Sequence, residues 1–214
     1  MKIKWLGQAS FLITSDTGTK IITDPYTPGD RIPYRPINEA ADVITISHGH
    51  ADHNNPSAVK GHPVVLKESK EVKGIKFTAV PAFHDNAGGA QRGNMTLFCF
   101  EVDGIRICHL GDLGHPLDDK QAAALGKVDI LLIPVGGNFT IDAAAAEQVY
   151  KKLEAHVVIP MHYKNARCPD FPVASVDDFI KGKPNVTRLE VSEAEFKAGV
   201  LPFEPQIVVL TPAN

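Results

Sequence analysis

The sequence predicts an α/β sandwich with its helices outside, and three features carry that expectation. Short apolar, β-branched runs recur along the chain, while only four segments read as helical. Neither a composition break nor a linker divides the 214 residues. With 43% hydrophobic residues, the expected unit is one domain over 1–214, large enough to bury a substantial core.

In chain order, 3–6, 10–14 and 20–23 read as a meander, punctuated by Gly7 and by the turn signal Asp16-Thr17-Gly18. Pro25, Pro28, Gly29, Pro33 and Pro36 then exclude helix, so 25–36 is expected to be an exposed loop. The run 42–47 is short, β-branched and buried in character, and it ends directly at His48. Further strands are expected at 63–66, 75–80, 96–102, 105–109, 128–133, 157–160 and 207–210, and helices at 56–60, 120–125, 143–153 and 176–181. The helix at 143 has the clearest start, with Thr140 or Asp142 available to cap its exposed amides ahead of four alanines.

Charge and cysteine usage narrow the function classes. Twenty-two basic against 25 acidic side chains leave a formal charge of -3, so there is no excess of cations for non-specific nucleic-acid binding. No apolar run reaches bilayer-spanning length and the first residues lack a signal peptide's core, which predicts a soluble, cytoplasmic protein without membrane contact. Cys99, Cys108 and Cys168 form an odd set without a CxxC pair, which argues against a disulfide scaffold and for a reducing compartment.

Histidine usage points to chemistry. Three of nine histidines fall within His48-Gly49-His50-Ala51-Asp52-His53, too dense a cluster for core filling. Residues two apart in an extended loop project to the same side, so His48 and His50 can face one cation while Gly49 permits the tight path. Asp52 and His53 follow the change of direction and can face a second cation. Two residues do not close a site, and His84, Asp112 and His162 each follow an apolar run where loops at one sandwich edge would converge.

At these residues the chain resembles the metallo-β-lactamase superfamily, with its HxHxDH motif at 48–53, a further His, a Gly-Asp at 111–112 and a late His. It is most similar to the small metal-dependent hydrolases related to ascorbate-phosphate lactonase, through His109-Leu-Gly-Asp-Leu-Gly-His115, Pro134-Val-Gly-Gly-Asn-Phe-Thr-Ile-Asp142 and Ile159-Pro-Met-His-Tyr163. The resemblance implies an αββα sandwich of two mixed sheets. It also implies two divalent ions: His48, His50 and His84 on one, Asp52, His53 and His162 on the other, and Asp112 between them. Zinc is the first choice for an imidazole-rich set, with manganese, iron and nickel left open. His50 stands where the flavin-linked diiron branch carries glutamate, which disfavours oxygen chemistry.

Two divalent ions against two aspartates and a bridging hydroxide leave roughly one net positive charge, which favours a small anionic substrate. The implied reaction is attack by the metal-bridging hydroxide on an ester, lactone or phosphodiester, with Asp52 orienting the nucleophile. An RNA-processing nuclease and a non-catalytic metal-binding regulator stay as alternatives, and a homo-oligomer is compatible with the sequence.

Other residues carry two readings. His115 could protonate a leaving group or cap a helix, and His109 could ligate in place of His84 or buttress a ligand from behind. Asp24 could accept a bond from a ligand imidazole or cap a turn. Arg92 beyond the glycine-rich 86–91, and Lys164 and Arg167 after His162, could hold an anion or be solvated loop charges. Gly136-Gly137 could approach the site or merely turn into the helix. His62 and His156 read as ordinary surface histidines.

Overall fold

The computed structural model describes residues 1–30 and 32–213. Among them the chain begins with β1 (Lys2–Gly7), β2 (Ser10–Thr14), β3 (Lys20–Thr23), β4 (Val43–Thr45), a 3₁₀ turn at Pro56–Ala58, β5 (Val64–Leu66) and β6 (Lys70–Val72). Then come β7 (Ile75–Phe83), β8 (Asn94–Val102), β9 (Ile105–His109), α1 (Asp119–Leu125), β10 (Ile130–Pro134), α2 (Ala143–Lys152) and β11 (Val157–Met161). The chain closes with α3 (Val176–Ile180), β12 (Val186–Arg188), β13 (Glu193–Glu195) and β14 (Gln206–Val209). No helix among the described residues is long and apolar enough to cross a membrane.

The strands form two mixed sheets, ordered β13-β1-β2-β3-β4-β5 and β12-β14-β11-β10-β9-β8-β7-β6. In the first, β1, β2 and β3 are antiparallel while β3, β4 and β5 are parallel; in the second, a β6-to-β9 meander gives way to parallel β9, β10 and β11. Strand alternation sorts side chains between layers. Ile3, Trp5, Phe11, Ile13, Ile21 and Val43 enter the main core between the sheets, and Leu6, Leu12, Ile22 and Ile44 enter a second cluster on the opposite face.

That second cluster corrects the expectation of an exposed 25–36 loop. Tyr26, Ile32, Tyr34 and Ile37 are buried in it, so the proline-rich segment covers the outer face of the first sheet. The helices lie on the second sheet, α1 against β7 and α2 against β10. The expected helix at 56–60 is only the 3₁₀ turn.

The strands that periodicity overlooks are β6, β12 and β13, short and polar at or beside sheet edges. The β6–β7 hairpin turns at Lys73-Gly74, both at positive φ, the geometry that matches strand twist. Pro81 does not end its strand. It pairs with Thr96 on one side, and β6 reaches only Phe77 on the other, so no ladder bond needs its missing N–H. Asp142, not Thr140, caps α2, its Oδ1 accepting the Ala145 N–H at 2.8 Å.

The odd number of cysteines argues against a disulfide scaffold but does not foretell the one bond between two of the three. Cys99 and Cys108 stand directly opposite in the β8–β9 ladder with Cα atoms 4.2 Å apart and are joined as a disulfide; Cys168 is free and buried. Antiparallel register places them together, which spacing in the sequence does not reveal.

Candidate metal centre

Loops leaving β4, β7, β9 and β11 meet at one edge of the sandwich and carry the His48–His53 segment, His84, Asp112 and His162 respectively. Backbone contacts lock the loops together. Ser47 O accepts Thr96 N–H at 2.9 Å across the sheets, and Gly114 N–H donates to Phe83 O at 3.0 Å. Gly114 is required there, because a Cβ would come within 2.2 Å of Asp85 N.

The seven residues fall into two groups. His48, His50 and His84 offer one ligand atom each, all within 4.8 Å of one another, and so do Asp52, His53, Asp112 and His162. Asp112 reaches both: its Oδ2 lies 3.3 Å from His84 Nε2 in the first group, and 3.1 and 3.4 Å from the Nε2 atoms of His53 and His162 in the second. His53, His84, Asp112 and His162 are almost wholly buried, whereas His50 faces solvent.

These donors fit cations on an electrostatic ground. His53 Nδ1 is 2.8 Å from Asp24 Oδ2, which places its proton there and leaves the Nε2 lone pair 3.1 Å from Asp112 Oδ2 and 3.3 Å from Asp52 Oδ2. Neither His53 Nε2 nor Asp112 Oδ1 makes a hydrogen bond among the described residues. A buried lone pair against two carboxylates repels unless positive charge lies between them. Burial disfavours charge on His53, yet the Asp112 and Asp52 carboxylates raise its pKa well above the ordinary histidine value, so positive charge is favoured at this point.

The other ligands answer the same field. Burial opposes ionisation of Asp112, but His162 and His53 hold its pKa well below the usual carboxylate value. His48 is pushed down to about 3, by burial first and His53 second, and burial lowers His84 as well. Both stay neutral and keep a lone pair for a cation. Asp52 is depressed despite burial because His53 is adjacent.

Asp24, entirely buried and at φ 38°, acts behind the ligands. Its Oδ1 accepts Ser47 N–H at 2.7 Å and its Oδ2 accepts Ser47 Oγ–H at 2.5 Å besides His53. Ser47 Oγ in turn accepts from His48 Nδ1 at 2.9 Å, so one carboxylate orients an imidazole in each group. His109 is not among the clustered ligands: fully buried, it donates from Nε2 to Ala9 O at 2.8 Å, a bond between the sheets.

The structure does not bring His115 into the cleft. Its Nε2 accepts Phe83 N–H at 3.2 Å and its Nδ1 donates to Pro116 O at 2.8 Å, so both nitrogens are engaged by backbone. Arg92 does line the cleft, its guanidinium 5.3 Å from the Phe139 ring centroid. Asp85 shapes the loop that presents it, taking four backbone N–H groups, from Ala87, Gly89, Gln91 and Arg92, at 2.7–2.9 Å. Those bonds, that of Arg92 first, hold the Asp85 pKa well below the usual value.

The cleft is about 440 Å³ and is lined by Phe139 and Phe171 beside the ligands, the Phe171 ring standing edge-on to His162 with centroids 5.3 Å apart. A neighbouring cavity of about 530 Å³ shares those two rings and contains Arg167, while Lys164 lines a separate groove. Gly136 approaches His162 so closely that a Cβ would fall 2.2 Å from the His162 carbonyl oxygen. Gly137 makes the turn toward α2, its N–H bonded to Ile141 O. His62 is exposed, and His156 bonds Pro202 O away from the cleft.

Sequence reading passes over Gln8, Ser47, Asp85, Phe139 and Phe171. Only Asp85 leaves a local signal, an aspartate opening the glycine-rich Asn86-Ala87-Gly88-Gly89 turn.

Known proteins resemble this chain over most of its length. The family described as beta-lactamase superfamily domain matches residues 2–162. A UPF0173 metal-dependent hydrolase of Carboxydothermus hydrogenoformans is 32% identical over 83% of this chain and 88% of its own length, and one of Archaeoglobus fulgidus is 30% identical over 85% and 90%. A crystal structure from Thermotoga maritima, described as a proposed zinc-dependent hydrolase of the metallo-beta-lactamase superfamily, superposes with a TM-score of 0.80 at 38% identity. That match covers 98% of this chain and 97% of the other.

Proposed function

The chain belongs to the beta-lactamase superfamily as a metal-dependent hydrolase, and we propose that it holds two divalent ions and cleaves a small anionic ester, lactone or phosphodiester. One observation carries the two-ion reading: Asp112 Oδ2 stands 3.1–3.4 Å from imidazole nitrogens of both ligand groups. Zinc is favoured by the five imidazoles and by the 38% identity to a proposed zinc-dependent hydrolase.

When bound, such ions polarise the oxygen of the scissile group and lower the pKa of water from about 15.7 to roughly 7, so a nucleophile exists at neutral pH. The chain's own residues do the rest. Asp52, at the cleft wall, accepts a hydrogen bond from the nucleophile and orients it. Arg92, braced on Phe139, supplies a guanidinium to a carboxylate or phosphate of the substrate. Phe139 and Phe171 cover the substrate's apolar side and exclude water. A cytoplasmic setting is proposed with this chemistry.

The test joins metal content to turnover. The purified chain is assayed for bound metal by elemental analysis and screened against lactones, phosphodiesters, carboxylic esters and thioesters. About two equivalents of metal and turnover of an anionic member are expected, both lost in the His50→Ala/Asp112→Asn double variant. A metal-free double variant that still cleaves every substrate the wild type cleaves removes this site as the catalyst.

A further inference from the structure

Gln8 sits in the turn between β1 and β2, is 1% exposed, and holds a left-handed backbone at φ 52°. Its side-chain Nε2 donates to Asp52 Oδ2 at 3.1 Å, and its carbonyl oxygen accepts the backbone N–H of His162 at 3.3 Å. The same carbonyl accepts the Trp5 indole N–H at 3.1 Å, which anchors the turn to the main core. Asp52 and His162 belong to one ligand group, and no hydrogen bond given by Gln8 reaches His48, His50 or His84 among the described residues.

From this asymmetry we infer that Gln8 is the positioning residue for one ion only, that of Asp52, His53, Asp112 and His162; the inference rests on the two-ion reading. A carboxylate that binds a cation while a second donor occupies its lone pairs is fixed in rotation, and Asp52 is only partly buried, so packing alone does not fix it. His162 is itself at φ 52°, a conformation that persists only where the surroundings dictate it, and the bond to Gln8 is one of those constraints. Finally, Gln8 lies on the first sheet while His162 follows β11 of the second, so the residue also sets the distance between two ligands that approach from opposite layers. The other group has its own support, since His48 is held through Ser47 and Asp24.

The inference predicts selective loss. Cobalt(II) and zinc are titrated into metal-free wild type, Gln8→Met and Gln8→Asn, with cobalt visible bands and a competing chromophoric chelator reading the two equivalents separately. Gln8→Met keeps the bulk and removes the donor. Gln8→Asn favours the left-handed turn but falls one methylene short, so it tests positioning even where the methionine variant folds poorly. In both variants the equivalent held by Asp52, His53, Asp112 and His162 is expected to bind about 10- to 100-fold more weakly than in wild type, with an altered cobalt spectrum, and the other equivalent to bind as in wild type.

Wild-type affinity for both equivalents in both variants overturns the inference. So does an equal loss at both equivalents, which marks Gln8 as generally structural. A wild-type chain that takes up a single equivalent overturns the two-ion reading itself, and that outcome is visible before any variant is compared.

Discussion

The bond between Asp24 and His53 shows what one buried side chain can decide. By taking the Nδ1 proton, Asp24 turns the His53 Nε2 lone pair toward Asp112 and Asp52, and through Ser47 it fixes His48 as well. Asp24→Asn keeps the shape but exchanges the acceptor that both imidazoles rely on. It is expected to weaken metal binding on the order of 10- to 100-fold, measured by chelator competition. Unchanged affinity would show that packing alone sets these imidazoles. Arg92 lines the cleft, and on the proposed contact to an anionic group, made equally in the ground and transition states, Arg92→Ala should raise KM for an anionic substrate several-fold with little change in kcat. A kcat loss as large as the KM gain would place the guanidinium on the reacting group instead.

Among the elements, close backbone approach is what lets separate strand ends share one cleft. Gly136 follows β10 and packs on His162 after β11, where a Cβ would stand 2.2 Å from the carbonyl oxygen. Gly136→Ala is expected to cost about 1–3 kcal/mol and to reduce metal content, read by thermal denaturation and elemental analysis. Full stability with full metal content would mean that the loops adjust freely. A second prediction concerns α2, where Glu147 pairs with Lys151 at 2.6 Å and with Lys183 at 2.7 Å. Those bonds, that of Lys151 first, lower its pKa from 4.5 to about 2. A folded-state pKa below the unfolded one gives stability that is complete above about pH 4.5 and disappears as the pH falls through 2. Being half-exposed, the pair is worth well under about 1 kcal/mol. Glu147→Gln should therefore lower Tm slightly at pH 7 and not at pH 2; an equal loss at both would trace the effect to something other than charge.

Element types were legible where local rules suffice. The short β-rich run at 10–14, the turn at Asp16-Thr17-Gly18 and the Asp142 cap each involve neighbours along the chain. The 25–36 segment was misjudged because prolines exclude helix but say nothing of burial, and Tyr26 and Tyr34 find the outer face of the first sheet. The polar edge strands β12 and β13 exist because a neighbour offers them hydrogen bonds, which no periodicity records.

For the whole molecule, the centre joins loops from both sheets, so the cations should hold the sandwich together as well as supply its chemistry. Without them, Asp112 and Asp52 face the lone pair of His53, or a proton must take the place of the metal. An ion present at about 1,000 times its Kd adds about 4.1 kcal/mol. For a domain of this size that corresponds to roughly 10 °C in Tm. Chelation followed by thermal denaturation is expected to show a fall of that order, reversed by zinc; no shift would confine the ions to a surface role.

The sequence by itself determined the donor chemistry. Dense histidines after a buried strand, and single ligands after three later apolar runs, follow from residue type and local order, and the strand-then-loop pattern already implied one shared edge. The family resemblance already implied the grouping with Asp112 between the two sets; tertiary structure alone decided the distances from Asp112 to both, that Gln8 reaches Asp52 while His115 turns to the backbone, and that Arg92 rests on Phe139 in the cleft. The reason is that residue type and periodicity are local, whereas the point where side chains meet depends on register and twist accumulated through two sheets before the loops begin.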